Sequence, residues 1–313
     1  MTPTRTGPGP SRGPDGPHAA AVADDGGTAV KIGLASPNSS YGVDPAEMAR
    51  DVEQRGYDSL WVGEHSHIPT SRETPHPSGH DLPRFYWHMR DPFVSLAMAA
   101  AATTTLKVVT GVCLVLEHEI LDLTKSIATL DQLSGGRLLL GVGVGWNREE
   151  LANVSPVPWS QRYNAMRETV EAMRLQWAND EAGYSGSFVN IAPSWVYPKP
   201  TNPSGPPVLM GCQGRVGLRH VAEYADEWAP LDIGFRDVAK GLGWFRAAAE
   251  QAGRDPDSIP VTMYCFSSPT AEVVERYAGL GIHRVVFSAP DEADKHHRFL
   301  DRHQTLVDTY GKD

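Results

Sequence analysis

At 313 residues with 41% hydrophobic content, the chain is long enough for one large barrel or two small domains around a substantial core. Its formal net charge of -10 disfavours nonspecific binding to nucleic-acid backbones or anionic lipid, and leaves open a local basic pocket for an anionic cofactor. The longest apolar runs, residues 93–102 and 138–142, fall well short of the ~20 residues of a bilayer-crossing helix, so the expected partner is a small molecule, with no nucleic acid and no membrane.

Residues 1–28 are rich in Pro, Gly, Ala and Asp and lack the apolar core of a secretory signal; they read as a disordered tail ahead of one domain over 29–313. From Ala29 onward, short β-branched runs alternate with amphipathic stretches of helical period, the pattern of repeated βα units around a parallel sheet. Strands are predicted over 30–35, 59–62, 107–113, 137–142, 207–210, 227–229, 260–266 and 284–287, the sixth carrying the weakest pattern. Asp44-Pro45 and Asp91-Pro92 mark helix starts, and Gly56, Gly135-Gly136 and Gly281 mark ends. Eight such units predict an α/β fold, a (β/α)₈ TIM barrel. Two connections are long for this architecture and read as functional loops: an insertion over 64–90 after strand 2, and an excursion over 180–205 before strand 5. In the excursion, "GSFVNI" predicts a strand pair leaning over the barrel mouth.

Cys113, Cys212 and Cys265 lie far apart in apolar or Gly-rich runs without metal or redox spacing, which fits reduced, buried thiols and a cytoplasmic location. Barrel enzymes place their chemistry after the strand C-termini. Strand 2 ends in "LWVGEHSHIP", where Glu64 and His65 can serve proton transfer or hold substrate, or can simply satisfy loop backbone groups. The His65–His67 alternation permits a metal, but no third ligand has suitable spacing and none is assigned. Gly111 interrupts strand 3, marking either a bulge that approaches a ligand or crowding inside the barrel. Glu117 and His118 follow at the mouth, as ligand contacts or helix caps. Gly141, Gly143 and Gly145 alternate into a helix start where backbone amides can reach anionic oxygens, although Trp146 breaks the dinucleotide fingerprint. A second Gly-rich strand-to-helix turn carries Gly211, Cys212, Gln213 and Gly214, with Gln213 and Arg215 able to meet a phosphate or carboxylate.

"SIATLDQLSGGRLLLGVGVGWNREE", "YDSLWVGEHSHIP" and "PPVLMGCQGRVGLRHVAEYADEWAP" closely resemble the strand 4, strand 2 and strand 5–6 segments of luciferase-like flavin and F420-dependent oxidoreductases, and the similarity spans nearly all of the chain after residue 29. The loop "SRETPHPSGHDLPRFYWHMRDPF" resembles the F420-dependent branch. The resemblance implies coenzyme F420 as cofactor, with FMN as the alternative, and a possible homodimer. It implies that His65 is the catalytic histidine beside the reacting ring carbon, with Glu64 orienting it. Gly111-Val112 falls at the family's non-prolyl cis peptide, which backs the ring. Gly143, Val144, Gly145, Trp146 and Asn147, with Gly211, Cys212, Gln213 and Gly214, fall where relatives hold the ribityl chain and phosphate. Trp146 replaces the acidic proton donor of sugar-phosphate dehydrogenases, which places that substrate class in doubt. Arg84, Tyr86 and Trp87 are expected to close over substrate. The implied activity is hydride transfer between F420 and a small organic molecule. The rivals are an FMNH₂-dependent monooxygenase using O₂ and a partner flavin reductase, and a flavin-binding barrel without catalysis.

Overall fold

The computed structural model describes residues 30–311, so the expected tail over 1–28 lies outside the described residues. The elements run β1 (Lys31–Ser36), α1 (Pro45–Gln54), β2 (Ser59–Val62), α2 (Pro92–Ala102), β3 (Lys107–Thr110), α3 (Ile120–Ser134), β4 (Leu138–Val142), α4 (Arg148–Val154), α5 (Arg162–Ala178) and the pair β5 (Ala182–Ser185) and β6 (Asn190–Ser194). They continue β7 (Val208–Met210), α6 (Arg215–Tyr224), β8 (Glu227–Trp228), α7 (Val238–Gln251), β9 (Thr262–Cys265), α8 (Ala271–Gly279), β10 (Arg284–Ser288) and α9 (Ala293–Tyr310).

Eight parallel strands stand in the order β8-β7-β4-β3-β2-β1-β10-β9, and the ends of that order meet through bridges from Trp228 to Val261 and from Leu231 to Tyr264. The result is a TIM-type barrel. Each strand contributes one apolar side chain to the interior: Ala35, Trp61, Val109, Leu139, Leu209, Tyr264, Val286 and, just past β8, Ala229 form the inner cluster. Their neighbours Leu34, Leu60, Val108, Leu140, Met210 and Val285 face the helices, as the two-residue period of a closed sheet requires. At the opposite end from the loops, Arg284 is buried and paired with Asp58 (2.7 Å) and Glu227 (3.0 Å).

Local chemistry accounts for the helix starts. Asp44 accepts from the amides of Ala46 and Glu47 ahead of Pro45, and Asp91 accepts from that of Val94 ahead of Pro92. All eight predicted strands are present, with five shorter than expected, and strand 7, predicted over 260–266, runs Thr262–Cys265. Strand 3 ends at Thr110 rather than 113 because the chain bulges at Gly111, and strand 6 has two residues. The excursion does contain a strand pair, but "GSFV" forms its turn, with the amides of Ser187, Phe188 and Val189 donating to the Glu168 carboxylate. This hairpin lies along α5, with Tyr184 on Glu171 (2.7 Å) and Gln176 on the Ala182 carbonyl (2.8 Å). None of its residues lines the mouth cavity, so the expected cover over the barrel is not formed. Among the described residues no helix is long and apolar enough to cross a membrane.

One helix-to-strand joint sets an acid dependence. Glu53 Oε1 accepts from the amides of Thr104, Thr105 and Leu106 and from the Thr105 hydroxyl, at 2.7–3.0 Å. Burial pushes this carboxyl up, but the converging donors outweigh it and hold the pKa at about 2, against an ordinary 4.5. A depressed folded pKa means stabilisation that is complete above about 4.5 and lost as pH falls towards 2. The urea midpoint of Glu53→Gln is therefore expected to fall less than that of the unmodified protein between pH 5 and pH 2. Parallel falls would remove Glu53 as a source.

Candidate active site

The strand C-termini open into a cavity of about 390 Å³. Its floor includes Trp61 and Tyr264, whose rings meet edge-on at 5.2 Å. The Gly111–Val112 peptide is cis, and both residues line the cavity. A Cβ on Gly143 would stand 2.5 Å from Val112 Cγ2, and one on Gly211 would stand 2.8 Å from Cγ1. Cβ atoms on Gly111 and Gly141 would overlap the Tyr264 hydroxyl and the Thr110 carbonyl. These four glycines therefore make room for the bulge and for close strand approach. Packing accounts for them without appeal to a phosphate. Gly145 is different: its φ of +68° is a backbone requirement.

His65 follows β2 and is almost fully enclosed. Its Nδ1 lies 2.7 and 2.9 Å from the two oxygens of Glu150, and its Nε2 accepts the Trp146 indole N–H at 3.2 Å. Because Nε2 accepts, the neutral ring carries its proton on Nδ1 and donates it to Glu150. Burial pushes the imidazole down to about 4 against the pull of Glu64. Burial likewise pushes the Glu150 and Glu117 carboxyls up, with the carboxylate of Glu64 adding to both and Glu150 adding to Glu117.

Glu64 does not orient His65. Its carboxylate accepts from the Leu114 amide (2.7 Å) and from His118 Nε2 (2.7 Å), tying the β2 and β3 loops together. Burial lowers the His118 pKa, but Glu64 more than restores it, and the net direction is up. His67 bonds Ser66 Oγ (2.8 Å) and Asn153 (2.9 Å), so the His65–His67 alternation converges on no common ligand.

In the 64–90 insertion, Thr74 is clasped by Glu149, which moors the loop to α4. Tyr86 lines the cavity, packs 5.1 Å from the His65 ring centre and hydrogen-bonds His76 Nε2 at 3.0 Å. Arg84 turns away to lie over Tyr41 and bond His88, and Trp87 is half exposed to solvent. Neither lines the cavity; Phe85 and Met89 do.

The segments after β4 and β7 contribute Val144, Gly145, Trp146, Gly211, Cys212 and Gln213, joined by Arg162 and Tyr163. Arg162 stacks on Trp159 at 4.0 Å and makes no ion pair among the described residues. Gln213 is spent on the Leu231 carbonyl (2.8 Å), and Cys212 is a buried thiol pushed up to about 12 by burial. Asn147 is buried as the cap of α4, accepting from the Glu150 amide, and does not line the cavity. Gly214 also lies outside the lining; it begins α6, whose first turn has no side-chain cap. Arg215 turns to the groove between α6 and α7.

Residues 34–311 match the model of the luciferase-like monooxygenases. The chain belongs to that family. It is 40% identical to an uncharacterized protein of Mycobacterium tuberculosis, over 84% of this chain and 93% of the relative. It is 25% identical to the F420-dependent hydroxymycolic acid dehydrogenase of the same species, over 67% of this chain and 55% of that one. The solved monooxygenase RslO1 of Streptomyces bottropensis superposes with a TM-score of 0.69 at 18% identity, over 88% of this chain and 98% of its own, which speaks to the fold alone.

Within this luciferase-like barrel, sequence reasoning missed Glu150, Phe85, Met89, Arg162, Tyr163 and Tyr264. Only Glu150 and Arg162 carried a signal. "NREE" offered two carboxylates at a helix start beside the proposed site, and Arg162 a cation 12 residues after Glu150, at the start of α5.

Proposed function

We propose that the protein is an F420-dependent oxidoreductase that moves a hydride between the deazaflavin and a small, uncharged organic molecule, as in the interconversion of an alcohol and a carbonyl compound. The observation that carries this reading is His65: a buried imidazole in a defined tautomer, backed by a carboxyl on one nitrogen and facing the cavity beside the Gly111–Val112 bulge. Hydride chemistry at carbon requires a matching proton at oxygen or nitrogen, and this side chain is placed to hold it.

The residues fit the cofactor. Val112, seated in its glycine notch, would back the ring, and the Gly143–Trp146 backbone would run along it. Arg162, without a carboxylate partner, and the uncapped first turn of α6 suit the anionic arm. When bound, F420 supplies a two-electron hydride carrier that reacts poorly with oxygen. Away from Arg162 the lining includes Ser36, Pro37, Phe85, Tyr86, Met89 and Phe266, and its Glu64 carboxylate is already engaged by the Leu114 amide and His118, which favours an uncharged, apolar substrate over a sugar phosphate. The F420-dependent relative adds weight to the cofactor choice.

Titration with oxidised F420 and, separately, with FMN, followed by fluorescence quenching, tests the assignment. Saturable F420 binding at least about tenfold tighter than FMN, or about 1.4 kcal/mol, is expected. The reverse preference would replace this reading with the FMNH₂-dependent monooxygenase and its partner reductase.

A further inference from the structure

We propose that Glu117 and Glu150 hold a single proton between them behind His65, and that this buried pair exchanges the substrate's proton with the imidazole. The inference rests on His65 being the proton-handling group of an F420-dependent oxidoreductase.

Glu150 sits in the first turn of α4, 1% exposed, with both oxygens turned to His65 Nδ1. The Glu117 carboxyl, from the turn after β3, reaches the same carboxyl within hydrogen-bonding distance, while its own Oε2 is buried without a partner. Two carboxyl groups in such contact repel as a dianion and bond as a singly protonated pair. The surrounding charges do not neutralise them. From the β2 loop come Glu64, already bound to His118, and His67, bound to Ser66 and Asn153. The 64–90 loop contributes His76, Tyr86 and Arg72, with His76 bound to Tyr86. Asp91 lies beyond His118, and Glu149 is occupied with Thr74. No arginine or lysine pairs with either Glu117 or Glu150 among the described residues.

The arrangement makes a directed path. In alcohol oxidation the substrate C–H and O–H bonds break and a C=O bond forms. The hydride, with its electron pair, leaves to the oxidised deazaflavin, and the hydroxyl proton goes to His65 Nε2. The Nδ1 proton then passes to Glu150, and the pair moves from one proton to two. Reduction runs the same transfers backwards. The Trp146 N–H holds the Nε2 lone pair at rest, and the incoming hydroxyl must take its place.

The test uses the full chain labelled with carboxyl-¹³C glutamate and titrated by NMR from pH 5 to pH 10, with Glu117→Gln and Glu150→Gln as assignments. The pair should release one proton, not two, across that range, in a step well above the ordinary carboxylate range that both resonances report, and each substitution should lower the partner's midpoint by about one unit or more, a tenfold change. Both groups ionised at pH 6, both fully protonated at pH 7, or a partner midpoint that does not move, would overturn the shared proton. In parallel, F420 reduction by 2-propanol, cyclohexanol and 1-phenylethanol is followed against pH. Glu117→Gln should lower kcat about tenfold or more with KM unchanged and displace the pH profile, and Glu117→Asp should restore the profile in part. Superimposable profiles in a protein that still binds F420 would overturn the relay and leave the proposed function standing. Failure to bind F420 would overturn both.

Discussion

His65→Asn is expected to lower hydride transfer by about 10²- to 10⁴-fold while leaving F420 binding nearly unchanged. Asparagine keeps an amide N–H within reach of Glu150 and is smaller than imidazole, so the buried carboxyl retains a donor and the fold is preserved. What disappears is the Nε2 lone pair that now accepts the Trp146 indole N–H at 3.2 Å. The separation of effects carries the argument. The parts of the cavity that would hold the cofactor, the Val112 seat, the Gly143–Trp146 backbone and Arg162, all survive His65→Asn, so cofactor affinity should fall little with the imidazole. Because burial holds the His65 pKa at about 4, the imidazole is neutral above pH 5, and in the oxidation direction the rate should not lose the base until pH falls towards 4. Stopped-flow reduction of F420 by secondary alcohols, with binding measured in parallel, checks this. Equal losses of affinity and rate would move His65 from catalysis to architecture.

The barrel was legible because its signals are local. β-branched runs, Asp-Pro helix starts and Gly-marked ends each act within a few residues, and the eight predicted strands match β1, β2, β3, β4, β7, β8, β9 and β10. The site was less legible because its partnerships are not local. Adjacent residues leaving a strand point to opposite sides, so Glu64 and His65 were never placed to share a hydrogen bond. His65 instead finds Glu150, 85 positions away, and Glu64 finds His118, 54 positions away. The 64–90 loop shows the same limit on a smaller scale. Residues 84–88 form a 3-10 turn, in which side chains three apart fall on one face; Arg84 and Trp87 therefore turn outward together. A search for polar and aromatic residues picks all three of Arg84, Tyr86 and Trp87, whereas the turn's periodicity selects among them.

Gly141→Ala is expected to destabilise the protein by about 3 kcal/mol or more, the upper range of overpacking costs, and to lower the melting temperature by roughly 6–12 °C. The new Cβ would fall on the Thr110 carbonyl, which is backbone, not a side chain able to rotate away. Neither strand can yield easily, since the Gly141 carbonyl accepts from the Cys113 amide (2.7 Å) and the Thr110 hydroxyl (2.8 Å) across the β3–β4 seam. Gly143 offers the contrast that decides what the alternating glycines are for. Its Cβ would meet only the Val112 side chain, so Gly143→Ala should cost less and should be partly rescued by Val112→Ala, with a coupling of about 1 kcal/mol or more. Urea unfolding of the two single variants and the double variant measures that coupling. If Gly143 serves the bulge, stability will show the rescue. If it serves close approach of an anionic ligand, the three proteins will add independently in stability, and Gly143→Ala will instead lose F420 affinity that Val112→Ala does not restore.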